Sequence, residues 1–209
     1  MGNHTARTKF AALAAAVVCS APLVLIATPA AAAQPECGDA STTSAIDRAP
    51  SEGSHGDDPF SRALICLIND ERAKRGLPTL SQDPALTAAA TLHARQATSQ
   101  QWWGPGNNPH NNPTTGSTPE SRIKGAGYCP NPRSWAFSEI TYTGWGGGGT
   151  PRAAVNWWMN ISKAGHREAI LNASMTALGT GVQGGAAAPA GRGFTDAGTY
   201  VVTFGRCQR

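Results

Sequence analysis

Apolar positions recur at helical spacing from Phe60 onward, alternate with polar ones near Trp135, and form two short runs close to the end. Asp58-Pro59 places a capping acid before a proline at a first helical position. Phe60, Leu64, Leu67 and Ile68 then share one face, so the spacing predicts a helix. Lys74 and Arg75 suit its last turn, and Gly76 suits a left-handed terminus. Asp83-Pro84 repeats the start signal, and Leu86, Ala90, His93 and Ala97 line one face of a second helix. On that apolar face His93 reads as a hydrogen-bonded core histidine. Periodicity then vanishes over residues 103–119, where Gly, Pro and Asn dominate and a long surface loop is expected.

A short helical stretch at residues 120–124 precedes an alternating, aromatic and β-branched run at 135–142, which reads as a strand. The glycines of residues 144–149 lack the Lys-Ser/Thr that follows a phosphate-cradling loop, so they read as a connector. Thr150-Pro151 starts a third helix carrying Val155, Trp158 and Met159, and a short helix follows at 166–171. Residues 177–183 and 199–204 read as closing strands. Helices grouped around a small antiparallel sheet make this an α+β chain.

The amino-terminal part has a different character. Arg7 and Lys9 precede an apolar run at residues 10–26 and a small-residue ending near Ala33, the pattern of a secretory signal over 1–33. A retained anchor is the rival reading, disfavoured by Pro22, Pro29 and the small-residue end. Residues 34–58 are polar and aperiodic, a flexible lead-in to a domain at 59–207, tied down only if Cys37 finds a partner. Of 17 basic and 13 acidic residues, the signal removes two basic ones, which leaves 15 − 13 = +2. With no Lys/Arg stripe, nucleic acid is not an expected partner. After cleavage no membrane span is expected, and the protein reads as secreted, extracellular and monomeric.

Four cysteines remain beyond the signal, which in an exported chain implies two disulfides with three possible connectivities. The absence of any C-x-x-C pair argues against a structural zinc site. Cys129 precedes the first strand and Cys207 follows the last. If those strands are antiparallel neighbours, Cys129 pairs with Cys207, and Cys37 then pairs with Cys66.

Several ordered segments carry a family resemblance: residues 66–80 (CLINDERAKRGLPTL), Leu86 to His93, Trp158-Met159-Asn160, Gly165-His166-Arg167, Leu178-Gly179-Thr180-Gly181-Val182, and Tyr200 to Gly205. Together they resemble the bacterial SCP-domain branch of the CAP superfamily, which covers cysteine-rich secretory, antigen-five and pathogenesis-related proteins. The resemblance implies a three-layer α-β-α sandwich with a cleft lined by two histidines and two acids. His110 resembles the first histidine, Glu139 the acid of the strand motif, and His166 the second histidine. Ile161 stands where the second acid usually lies, and the interval from Trp158 to His166 is longer than in bacterial relatives.

Within that implied cleft, His110 and His166 are the candidate metal ligands, with Glu139 beside them, and zinc or another divalent metal is the implied cofactor. The same groups could instead serve acid–base hydrolysis. No G-x-S-x-G, H-E-x-x-H or P-C-x-x-C signature is present, so no catalytic residue is assigned. Three readings stay open. One is a non-enzymatic secreted module that binds a lipid, a cell-envelope component or a partner protein. Another is a protease-like secreted hydrolase using the His/Glu cleft. The third is a structural envelope protein.

Overall fold

The computed structural model describes residues 1–2, 37–51 and 58–209. The signal-like run of residues 10–33 lies outside the described residues. Within the lead-in, which was expected to be tied down only if Cys37 found a partner, α1 (Ala40–Ala45) forms. Asp39 caps it by accepting from the Thr42 amide at 2.9 Å. Ala45 and Ile46 are buried against Ala63, and the Cys37–Cys66 disulfide ties this segment down. One cap, two apolar contacts and a cross-link suffice, although the sequence there shows no period.

The three starts marked at Asp58-Pro59, Asp83-Pro84 and Thr150-Pro151 form as the sequence predicts, and Thr118-Pro119, read as the end of the loop, proves to be a fourth. Asp58 caps α2 (Pro59–Ala73), Asp83 caps α3 (Pro84–Gln100), Thr118 caps α4 (Pro119–Gly125) and Thr150 caps α5 (Pro151–Asn156). Each side chain accepts from an amide of the first turn, which satisfies a donor that the helix itself cannot. The third helix then changes pitch. Trp157–Ile161 is a π-helical turn, closed by the Ser162 amide bonding the Trp157 carbonyl at 2.8 Å. After it comes α6 (His166–Ile170), entered through Gly165 at φ 78°.

Four strands form the sheet, in the order β1-β3-β4-β2. The long strands β2 (Ser134–Gly144), β3 (Ala177–Gly184) and β4 (Gly198–Gln208) pair antiparallel. The expected all-antiparallel sheet gains a two-residue parallel edge, β1 (Ser81–Gln82) on β3. Two residues are too few to leave an alternating signature in the sequence.

Along β4 the side chains divide between two faces, as the pleat requires. Tyr200, Val202 and Phe204 enter the larger core, with Leu64 and Ile68 of α2, Val155 and Trp158 of the third helix, and Ile170 of α6. Val201 faces the opposite way, against Ala90, Ala94 and Ala97 of α3. The result is the three-layer α-β-α sandwich. Contact on the α3 side is unusually close. A Cβ on Gly179 would fall 2.1 Å from the Leu86 carbonyl carbon, and one on Gly181 2.2 Å from the Ala90 oxygen. Only glycine lets this helix lie directly on the β3 backbone.

Antiparallel pairing sets Trp135 opposite Cys207, which brings the start of β2 beside the end of β4. Cys129 bonds Cys207 and Cys37 bonds Cys66, each with Cα atoms 5.6 Å apart. On the chain-entropy view such links stabilise by about 3–5 kcal/mol each.

Candidate functional site

The site begins with a carboxylate that the strand pattern leaves no room to expose. Glu139 lies mid-β2, opposite Thr203 of β4, and its side chain is 1% exposed. A buried charge of this kind must be paired. Arg122 from α4 supplies the partner, with Nη2 at 3.0 and 2.9 Å from the two carboxylate oxygens. That Nη2 also donates to the His110 carbonyl at 2.9 Å, and Nη1 donates to the Ser117 carbonyl at 3.1 Å. One buried guanidinium therefore neutralises Glu139 and ties both ends of the loop bearing His110.

His110 stands in front of this pair. Its Nδ1–H donates to Glu139 Oε1 at 3.0 Å, and its side chain is 31% exposed. Because a carboxylate only accepts, Nδ1 carries a proton, and in the neutral ring this leaves Nε2 bare. Behind it lies His93, fully buried on α3 between Trp102 and Trp103, with ring centroids 5.6 and 5.8 Å away. Its Nε2–H donates to the Pro109 carbonyl at 2.8 Å, next to His110 in the chain. His93 is thus the hydrogen-bonded core histidine that the helical face predicted. Burial pushes its pKa down to about 4; nearby Glu139 opposes that shift.

His166 opens α6, within electrostatic reach of His110. Its Nδ1 lies 2.8 Å from Ser162 Oγ, and the Trp157 ring centroid is 5.2 Å away. The ring is 7% exposed. Burial first, and then the interaction with His110, lower its pKa to about 4, while Glu168 opposes the shift, so the imidazole is neutral near pH 7. Its segment is anchored by Arg72, a buried arginine of α2 that donates to the carbonyls of Ile170 at 2.7 Å and Asn172 at 3.0 Å. Trp158 fixes the π-helical turn by donating Nε1–H to the Thr141 carbonyl at 2.9 Å.

The structure gathers His110 and Glu139 into direct contact and sets His166 within electrostatic reach of His110. Sequence reasoning missed Arg122 and Ser162. A buried acid in a strand implies a cation somewhere, but nothing in the spacing says which. Ile161, at the place expected for a second acid, is 56% exposed.

For a metal, this donor set fits in part. His110 offers a bare Nε2 and His166 a second ring nitrogen, and neither Nε2 has a protein partner among the described residues. Glu139 is spent on Arg122 and lies behind His110, where it orients a ligand rather than acting as one. Among the described residues, the one trio of ligand atoms within 4.8 Å of one another is Cys37, Cys66 and Asp70. The sulfurs of that trio are already joined to each other.

Residues 66–203 match the CAP family, the cysteine-rich secretory proteins. The chain belongs to the CAP family. Among solved structures, this CAP domain is similar to an outer surface protein of Borrelia burgdorferi, at 22% identity and TM-score 0.54, covering 74% of this chain and 98% of that one. It is also similar to an extracellular SCP-domain protein of Bacillus anthracis, at 20% identity and TM-score 0.50. There the match covers 76% of this chain and 45% of the other. At these identities the likeness concerns the CAP fold. No curated protein matches the sequence significantly. Among the described residues no helix is long and apolar enough to cross a membrane.

Proposed function

We propose that this CAP protein is an exported binding module that holds its ligand in the His110–His166 cleft without chemical turnover, and that a divalent ion of the zinc type can be seated there by the two imidazoles. The observation carrying this reading is the state of Glu139: 1% exposed, ion-paired to Arg122 and hydrogen-bonded to His110. A hydrolase built on this cleft needs a carboxylate or an oriented base free to move a proton. Here the carboxylate is fully engaged, and an exposed isoleucine occupies the place of a second acid. Two imidazoles with bonded Nδ1 atoms remain, an arrangement suited to binding. When bound, such an ion would supply a Lewis-acidic point for an oxygen or nitrogen of the ligand. Export is supported by the signal-like start, the two disulfides and the extracellular or surface character of the similar proteins. The ligand class stays within lipid, envelope component or partner protein.

Elemental analysis and calorimetric zinc titration of the refolded protein test this, alongside a His110→Ala/His166→Ala double variant. Expected is about one zinc per chain in the wild type, lost in the variant, with no peptide or ester hydrolysis in either. Turnover that disappears with the two histidines would overturn the reading, as would zinc retained by the variant.

A further inference from the structure

The two cleft histidines have different partners at Nδ1, and that difference has chemical content. Glu139 can only accept, so the neutral His110 ring shows a bare Nε2. Ser162 can do either. Its Oγ already accepts from the Ala164 amide at 3.2 Å, and its own proton finds one acceptor among the described residues, His166 Nδ1 at 2.8 Å. In the metal-free protein this partner set favours the hydroxyl as donor to Nδ1, with the ring proton on Nε2. Rotating the hydroxyl reverses the bond: Nδ1–H then donates to Oγ, and Nε2 is left bare. Either state keeps the 2.8 Å hydrogen bond, so exchange between them costs little.

The backbone places Ser162 for this role. The π-helical turn closes with the Ser162 amide on the Trp157 carbonyl. Its wider ring leaves Ile161 exposed while Ser162 sits beside the histidine that begins α6. Turns of this kind recur at functional sites.

We propose that Ser162 is a positioning residue that makes His166 reversible. With Nε2 bare, His166 joins His110 in holding a borderline cation such as zinc; with Nε2–H it donates to an oxygen acceptor on a metal-free ligand. The cation half rests on the binding reading above.

Nitrogen-15 correlation spectra of the histidine rings test this in the full protein, first with chelator and then with zinc added. In the metal-free wild type, His110 should show its proton on Nδ1 and His166 on Nε2; zinc should move the His166 proton to Nδ1. Ser162→Asp should fix it on Nδ1 before any metal is added and tighten zinc binding about tenfold, the scale of a partner that orients a metal-bound histidine. Ser162→Ala should leave the His166 tautomer mixed and weaken zinc about tenfold. Finding His166 already protonated on Nδ1 in the metal-free wild type would overturn the proposal, and so would an Asp variant with unchanged spectra. If the ring protons respond to Ser162→Asp as stated but zinc never binds, the reversible histidine stands and the metal reading falls.

Discussion

His110 stands before a buried ion pair, held through Glu139, Arg122 and, by way of Pro109, His93. His166 leans on a single hydroxyl, with Trp157 at its side. The first arm places formal charges out of water, so its geometry is over-determined and each member depends on the others. The second arm is neutral and depends on one weak, reversible contact. A cleft built this way has one fixed wall and one adjustable group, and removing a residue should cost very different amounts on the two sides.

The sharpest test of that asymmetry is Arg122→Ala. It strands the Glu139 carboxylate inside the protein and frees the His110 loop, and should cost about 3–5 kcal/mol by urea unfolding. Pairing Arg122→Met with Glu139→Leu should recover most of this loss. A cost under about 1 kcal/mol for Arg122→Ala would mean that the first arm is no more tightly held than the second.

Next in size is the effect of acid on His93. The groups facing it are Glu139, Arg122 and His110, besides the Pro109 carbonyl. Its folded pKa of about 4 lies below the usual 6.5, so between these values the unfolded chain binds more protons than the folded one. Its contribution is complete above about pH 6.5, falls as pH drops through that window and levels off below 4. The total is about 3 kcal/mol. Urea midpoints at pH 7 and pH 4.5, with chelator present, should converge in His93→Leu relative to wild type. Equal pH slopes in the two proteins would remove His93 from the account.

The smallest effect belongs to the second arm. Ser162→Ala should cost about 1 kcal/mol, the net worth of one neutral hydrogen bond. A loss of 3 kcal/mol or more would show that this side is as rigid as the other, and the comparison would fail.

Much of the frame was legible because it depends on local chemistry. Asp58-Pro59, Asp83-Pro84 and Thr150-Pro151 announce helix starts whatever surrounds them. The Cys129–Cys207 link follows once β2 and β4 are read as neighbours. The illegible parts come from groups that meet only after folding. Arg122 lies 17 residues from Glu139, and no period connects a surface-looking α4 to the middle of a strand. Likewise α1 is a helix because Asp39, Ala45 and a disulfide each contribute a little, and the π-helical turn shows in the sequence only as a longer interval before His166. Glu139 was the useful intermediate case. Its type and place required a partner, and the fold supplied one.

The glycines at 179 and 181 bear on how this cleft can move. With Leu86 and Ala90 pressed onto bare backbone, α3 has no side-chain layer to slide over and cannot shear against the sheet. The segment between Trp103 and Thr118 is held to that frame by the ties that Arg122 and His93 make to it, so accommodation of a ligand falls to the segment that carries Ser162 and His166. In mechanical terms the helix and its tied loop are the door frame, and the Ser162–His166 segment is the leaf.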